Sequence, residues 1–237
     1  MPELLYEGKA KKIWATADPG QVEMEFKDDA TAFNGQKRGT ILDKGVVNAK
    51  LSATLFAVLE RAGIPTHLVR QVDDRRVLVS RLEMLALEVV VRNVVAGSLG
   101  QRTGLADGTV LEAPVVELYY KNDALGDPLF NDEHVAVMKL AVPERLAELK
   151  QRARAINQVL SAFFSELGLV LVDFKLEFGL RPGGAVVLGD EITPDTCRLW
   201  DATTRERLDK DRFRQDLGRV EEAYQEVLKR VAGHGTV

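Results

Sequence analysis

A single cysteine, Cys197, stands in the 237 residues, so no disulfide can form within the chain. With no histidine near it in sequence, it reads as a packing residue. Histidine is nearly as scarce: His67, His134 and His234 lie far apart, and with one thiol they cannot compose a zinc site of the usual kind. No apolar run approaches the length of a membrane span, and the opening MPELLYEGKAKK lacks the apolar core of a secretory leader. A soluble, cytoplasmic protein is therefore expected. Internal repeats, low-complexity tracts and Pro/Ser-rich linkers are also missing. The formal net charge is −4, from 32 basic and 36 acidic residues, which speaks against a general nucleic-acid or membrane-surface binder. There is no Walker A sequence either.

What is present is an ordinary globular balance, 46% hydrophobic and 29% charged, in a chain long enough for one large domain or two packed lobes. Short β-type runs occur at 5–6, 11–14, 22–26, 67–72 and 77–82. A helix with the apolar stripe Leu51, Leu55, Val58, Leu59 and Ala62 interrupts them, and Gly63 and Pro65 stop it. Further strands are expected at 87–95 and 115–120. A long helix starts near Pro143, its apolar residues from Leu146 to Leu167 spaced alternately three and four apart, and Gly168 ends it. A last helix carries Phe213, Leu217, Val220, Tyr224, Val227 and Val231 on one face. A strand-rich first part and a mixed second part suggest an α+β fold in two lobes, residues 1–83 and 84–237.

The densest chemistry lies at 170–179, VLVDFKLEFG. As a strand it places Asp173, Lys175 and Glu177 on one face and Val172, Phe174, Leu176 and Phe178 on the other. Arg181-Pro182-Gly183-Gly184 turns the chain, and 185–188 returns as a short apolar strand that brings Asp190 towards Glu177. Two carboxylates at hairpin distance, with a lysine beside them, suit a hard cation carrying phosphate oxygens. The same pattern also describes the solvated face of an amphipathic hairpin.

Three other segments carry polar groups in telling places. In 6–14, YEGKAKKIW, Lys9 and Lys11 share a face, and Gly8 allows close backbone approach, which suits nucleotide phosphates. A basic, solvated strand fits those residues equally well. In 88–98, EVVVRNVVAGS, Glu88 and Arg92 interrupt a valine-rich strand on one face. They form either a structural ion pair or an arginine fork, oriented by Glu88, for a carboxylate or phosphate. Ser98 adds a hydroxyl at the strand end. Arg198, in 195–201, is tethered near the acidic hairpin, where it either neutralises carboxylates or binds an anionic substrate. The loop of Lys121, Asn122, Asp123 and Asp127 is legible only as a polar loop.

Together the segments LYEGKAKKIW, EVVVRNVVAGS, YYKNDALGDP, LVDFKLEFG, LGDEITPDTCRLWD and LDKDRFRQDLG closely resemble the SAICAR synthetase family of de novo purine synthesis, nearly end to end. Two departures are visible: Ala86-Leu87 precede Glu88 where the family often has a proline, and Asn34-Gly35 stands where many members have Asp-Gly. The resemblance implies an ATP-grasp-like, two-lobed α+β fold of antiparallel sheets and packed helices, with nucleotide between the lobes. It implies ATP-driven joining of L-aspartate to the carboxylate of CAIR (carboxyaminoimidazole ribonucleotide), giving SAICAR, ADP and phosphate by way of an acyl phosphate. ATP contacts would fall to Lys9, Ala10, Lys11, Ile13, Lys121 and Glu177, and Mg²⁺ to Glu177 and Asp190. CAIR would fall to Glu88, Arg92, Ser98, Lys175 and Arg198, with Asp173, Lys175 and Arg198 at the reacting centre. The expected partners are these small molecules, without nucleic acid or membrane, in a homo-oligomer with a dimer favoured. A small-molecule kinase on a similar scaffold and a non-catalytic nucleotide sensor are the competing readings.

Overall fold

The computed structural model describes residues 3–32 and 36–234. Asn34 lies outside them. Three antiparallel strands come first: β1 (Leu4–Glu7), β2 (Lys11–Ala15) and β3 (Gln21–Phe26). Along β3, Val22, Met24 and Phe26 are buried and the residues between them half-buried, the period of two that a one-sided sheet requires. Next come β4 (Asp29–Ala32), β5 (Lys37–Thr40), α1 (Lys44–Arg61), β6 (Leu68–Gln71) and β7 (Arg76–Ser80). The five-stranded sheet runs in the order β1-β2-β3-β7-β6, and β4 and β5 form a separate ribbon. The ribbon has too little apolar alternation to be read from sequence.

The second sheet is drawn from β8 (Glu83–Val94), β9 (Val110–Tyr120), β10 (Leu129–Phe130), β11 (Leu169–Leu180), β12 (Val186–Leu188) and β13 (Cys197–Asp201). Short α2 (Ser98–Thr103) and α3 (Asp132–Val137), long α4 (Pro143–Glu166), one-turn α5 (Asp211–Arg214) and α6 (Val220–Gly233) complete the chain. The strand order is β10-β9-β8-β11-β12, with β13 also on β11. Strand β11 is central: β8 runs along one edge, and β12 and β13 share the other.

On one face of this sheet Leu149, Ile156, Leu160 and Phe164 of α4 pack with Leu171, Phe174, Leu176 and Phe178 of β11 and with Tyr224 and Val227 of α6. Each such buried aliphatic or aromatic side chain stabilises the fold by about 1.5–3 kcal/mol. Helix α1 serves both sheets. Its Val47, Leu51, Leu55 and Leu59, four residues apart, join this core, while Ala49 packs with Val22, Met24, Phe26, Val77 and Val79 of the first sheet. No helix among the described residues is long and apolar enough to cross a membrane.

Three expectations need correction. Val172 does not share a face with Phe174. The register of β11 against β13 shifts between Leu171 and Asp173, and this bulge turns Val172 away from the main core to pack with Val94, Ala96 and Trp200. The last helix is broken in two, because Asp216, Gly218 and Arg219 adopt positive φ between α5 and α6, and Leu217 is left exposed. Asp190 does not lie on the return strand. β12 ends at Leu188, and Asp190 follows it in a left-handed conformation at φ 57°.

Gly179 marks a second irregularity, where the register of β11 against β8 shifts between Glu177 and Gly179. A Cβ there would fall 2.7 Å from Leu82 Cβ and 3.0 Å from the Glu83 carbonyl oxygen. Gly179→Ala is expected to destabilise the protein by about 1–3 kcal/mol through overpacking. An unchanged urea midpoint would show that the strand end yields freely.

Candidate active site

The pleat of β11 directs Asp173, Lys175 and Glu177 away from the helices, and Lys175 and Glu177 line a cavity of about 1450 Å³. Both sheets and the β4–β5 ribbon line it. The Lys175 ammonium donates to Glu177 Oε1 at 2.6 Å and to Glu88 Oε1 at 3.1 Å, and lies 3.9 Å from Asp190 Oδ2. Lys121 pairs with the other oxygen of Glu177. Lys11 pairs with Asp190 and lies 3.2 Å from Glu191. The result is a floor of alternating charge on which three lysines and four carboxylates meet.

Burial alone would raise the Asp190 carboxyl, but Lys11 and Lys175 outweigh it and hold the group well below the usual carboxylate range. Burial would likewise lower the ammoniums of Lys11 and Lys175. Asp190, Glu177 and their neighbouring carboxylates reverse that and hold both above the ordinary lysine value. Asp190 and these lysines are therefore charged at neutral pH. Glu88 and Glu191 are raised, chiefly by burial. His67, which also lines the cavity, is pulled down to about 4 by burial and is neutral.

A second cluster sits beside the floor, around the carboxylate of Asp173. Its Oδ2 accepts from Arg92 Nη1 at 2.9 Å and from Arg198 Nη1 at 2.7 Å. Arg92 also donates to Glu117 at 2.6 Å, Ser98 Oγ at 3.1 Å and the Tyr119 hydroxyl at 3.0 Å. Arg198 donates through Nε to Asp211 at 2.8 Å. A Cβ on Gly97, which is at φ 53°, would fall 2.6 Å from Arg198 Nη2, so only glycine lets the guanidinium lie there.

The structure thus brings Lys9, Ala10, Lys11, Ile13, Glu88, Lys121, Lys175, Glu177 and Asp190 to one cavity. Arg92, Ser98, Asp173 and Arg198 gather in the adjoining cluster. Lys9 is mostly exposed and pairs with Asp123 at 2.9 Å. Asp173 and Glu177 are buried, so the hairpin does not present a solvated face. The supposed pairing of Glu88 with Arg92 is absent. Glu88 turns to Lys175, while the carboxylate partners of Arg92 come from β9 and β11, strands whose adjacency no local pattern reveals.

Several contributors were not singled out from the sequence. Glu117 and Tyr119 alternate on β9 with period two, a signal available in principle. Glu191 adjoins Asp190. Lys44, on α1 and only 1% exposed, pairs with Asp195 at 2.6 Å, and nothing in the local sequence marks that contact.

Two antiparallel sheets enclose a cavity floored by paired lysines and carboxylates, with a buried arginine cluster alongside, an arrangement of the enzyme-like class. The SAICAR synthetase family pattern matches residues 4–231, and the chain belongs to that family. It is 60% identical over 230 residues to a Gloeobacter violaceus protein named phosphoribosylaminoimidazole-succinocarboxamide synthase, covering 97% of this chain and 93% of the relative. The crystal structure of the Ehrlichia chaffeensis protein of that name superposes with a TM-score of 0.95 at 44% identity, over 97% of this chain and 98% of that one. A SAICAR synthetase in complex with ADP gives a TM-score of 0.94 at 48% identity, over 98% of both chains.

Beneath the arginine cluster, Asp209 is fully buried and accepts from the backbone N–H groups of Leu199 at 2.9 Å and Asp211 at 2.7 Å. Burial and the neighbouring Asp211 nonetheless push its carboxyl up to about 7. An unfolded aspartate titrates near 3.9, so the folded chain holds the extra proton between about pH 4 and pH 7. This group's contribution to stability is therefore complete below the unfolded pKa and is lost as pH rises towards 7. The stability of the native chain relative to Asp209→Asn is expected to fall across that window and level off above it. Denaturant unfolding of both proteins from pH 4 to 8 checks this, and a difference that does not vary with pH would refute it.

Proposed function

We propose that this chain is an ATP-dependent ligase that joins L-aspartate to the carboxylate of CAIR, giving SAICAR, ADP and phosphate in de novo purine synthesis. The observation that carries the reading is the cavity floor of Lys11, Lys121 and Lys175 interleaved with Glu177 and Asp190, beside the Arg92–Asp173–Arg198 cluster. Family membership supports the particular reaction. The ADP complex of a 48% identical relative supports a nucleotide in this cavity.

A free carboxylate is a poor electrophile because it is already anionic and its oxygen leaves badly. Transfer of the terminal phosphoryl group of ATP to a CAIR carboxylate oxygen forms an acyl phosphate and releases ADP. The amine of aspartate then adds to the acyl carbon, the C–O bond breaks, phosphate departs with that oxygen, and the nitrogen loses its extra proton. Lys11 and Lys175 suit the charge that develops on the phosphoryl oxygens, and their carboxylate partners hold them in place before the reaction starts. No protein nucleophile is required.

In this reading Ser98 and Arg198 meet the CAIR anion. Arg198 keeps its Nη2 donors without a hydrogen bond among the described residues. Arg92, four of whose donors already go to protein groups, fixes Ser98 and Asp173. Glu88 orients Lys175. Lys9, Ala10 and Ile13 border the nucleotide. Residues 1–83 cover the nucleotide, and residues 84–237 carry the metal and CAIR contacts.

Glu177 and Asp190 would hold Mg²⁺. Both carboxylates reach the same ammonium, that of Lys175, so they converge on one region of the cavity. Among the described residues no three histidine, cysteine or acidic side chains form a cage that could hold a metal ion. That donor set fits an ion that takes one or two carboxylates and completes its shell with phosphate oxygens and water. Bound there, Mg²⁺ would neutralise charge on the nucleotide phosphates.

With ¹⁸O in the CAIR carboxylate, one labelled oxygen is expected in inorganic phosphate for each amide formed. Label-free phosphate, or a stable phosphorylated product, would overturn the acyl-phosphate route. Glu177→Gln keeps the shape and removes the charge. It is expected to lower turnover by about 10²–10³, to raise the Mg²⁺ requirement and to weaken Mn²⁺ binding in the presence of ADP, as measured by paramagnetic resonance. Unchanged Mn²⁺ binding would remove Glu177 from the metal.

A further inference from the structure

Asn93 follows Arg92 in EVVVRNVVAGS and has no part in the site described above. On β8 it faces opposite to Arg92, towards α4, where Asn157 meets it. The two side-chain amides bond reciprocally. Asn93 Nδ2 donates to Asn157 Oδ1 at 2.8 Å, and Asn157 Nδ2 donates to Asn93 Oδ1 at 2.9 Å. The second hydrogen of Asn93 Nδ2 goes to the backbone carbonyl of Leu171 at 3.0 Å, and Ser161 on α4 donates to Asn157 Oδ1 at 3.2 Å. A carbonyl only accepts, so the Leu171 bond fixes which way the Asn93 amide lies. Asn157 is 5% exposed, and Ala153, Ile156 and Leu160 around it on α4 are fully buried. An apolar pair would fill that place without the desolvation cost of two amides, so the polar pair calls for a reason.

Its position supplies one. The ladder of β8 on β11 runs from Leu180 to Asp173, which stands opposite Arg92, and Asn93 grips β11 just past that last pair. The amide thereby ties the residue after Arg92 to the residue two before Asp173, across the bulge. From the other face, Val172 packs with Val94, Ala96 and Trp200. A slip of one residue turns every side chain of a strand to the opposite face, and here it would put Val172 where Asp173 meets the arginines. Successive carbonyls of a strand point to opposite edges, so the same slip would turn the acceptor away from Asn93.

We propose that the Asn93–Asn157 amide pair locks the register of this bulge, which makes Asn93 a positioning residue for CAIR that acts through Asp173 from the helix side of the sheet. The inference rests on the ligase reading, in which Arg198 meets the CAIR anion, and Asp173 holds Arg198 at 2.7 Å. Neither asparagine lines the cavity, so a change at either reaches the substrate only through the strand.

Calorimetric dissociation constants for CAIR and Michaelis constants for ATP, measured for Asn93→Leu and Asn157→Ala, test this. Asn93→Leu keeps the size and removes the amide. It is expected to weaken CAIR by about 10-fold, the equivalent of one lost hydrogen bond, with the ATP constant within about twofold. Asn157→Ala keeps the bond to Leu171 and removes its support, and is expected to weaken CAIR by about two- to fivefold. Leu160→Ala, one turn further along α4, reports packing alone: a lower urea midpoint with CAIR affinity unchanged. Asparagine variants that behave as Leu160→Ala does would overturn the inference, as would an equal loss of ATP and CAIR, the mark of a generally loosened site. Should Asn93→Leu fail to fold, Asn157→Ala carries the same test. A native chain that neither binds CAIR nor forms SAICAR would refute the ligase reading itself, whereas native turnover with unaltered variants would refute the positioning role alone.

Discussion

Asp173 and Glu177 are buried carboxylates on the central strand of the larger sheet, and each lies between two cations. Arg92 and Arg198 share one oxygen of Asp173, while Lys175 and Lys121 take the two oxygens of Glu177. A buried anion without such partners would cost several kcal/mol. Placing these anions on β11 therefore obliges β8, β9 and β13 to deliver their cations and hydrogen-bonding groups to the same face. Much of the site's geometry follows from that obligation. The bulge at Leu171–Asp173 keeps Leu171, Phe174, Leu176 and Phe178 on the helices and still aims Asp173 at the two arginines.

The same constraint joins the two sheets. Lys11 reaches from β2 to Asp190 and Glu191, and Lys44 reaches from the start of α1 to Asp195. Asp195 also receives Asn48 and the hydroxyl of Tyr224, so the loop carrying Asp190 is tied to α1 and α6 at once. Burial alone would push Asp195 up, but Lys210 and Lys44 outweigh it and keep the group ionised. Both attachments are ion pairs, and removing Lys11 or Lys44 would leave a buried carboxylate with one counter-charge fewer.

Much of the fold was legible in the sequence where one physical signal dominates. The three-four spacing from Leu146 places α4, the stripe from Leu51 to Leu59 places α1, and the alternation in 170–179 places β11 with its charges on one side. Signals failed where several weak preferences compete. The β4–β5 ribbon has no apolar alternation. The periodic run from Phe213 to Val231 is interrupted by residues in left-handed conformations, which periodicity does not register. The left-handed turn at Asp190 is likewise invisible to an argument from strand pairing.

Chemistry divides along a similar line. Local pattern and motif resemblance determined which residues carry charge into the cavity, because an ionisable side chain in an apolar strand is improbable unless something meets it. Which group meets it was decided only by the tertiary structure. Arg92 finds Glu117 and Asp173 rather than Glu88, Glu88 finds Lys175, and Lys44 finds a carboxylate 151 positions away. Partner choice depends on strand order and register, which are set by packing over the whole core. A sequence states the donors and acceptors, and only the folded chain brings each pair within the roughly 3 Å at which a hydrogen bond forms.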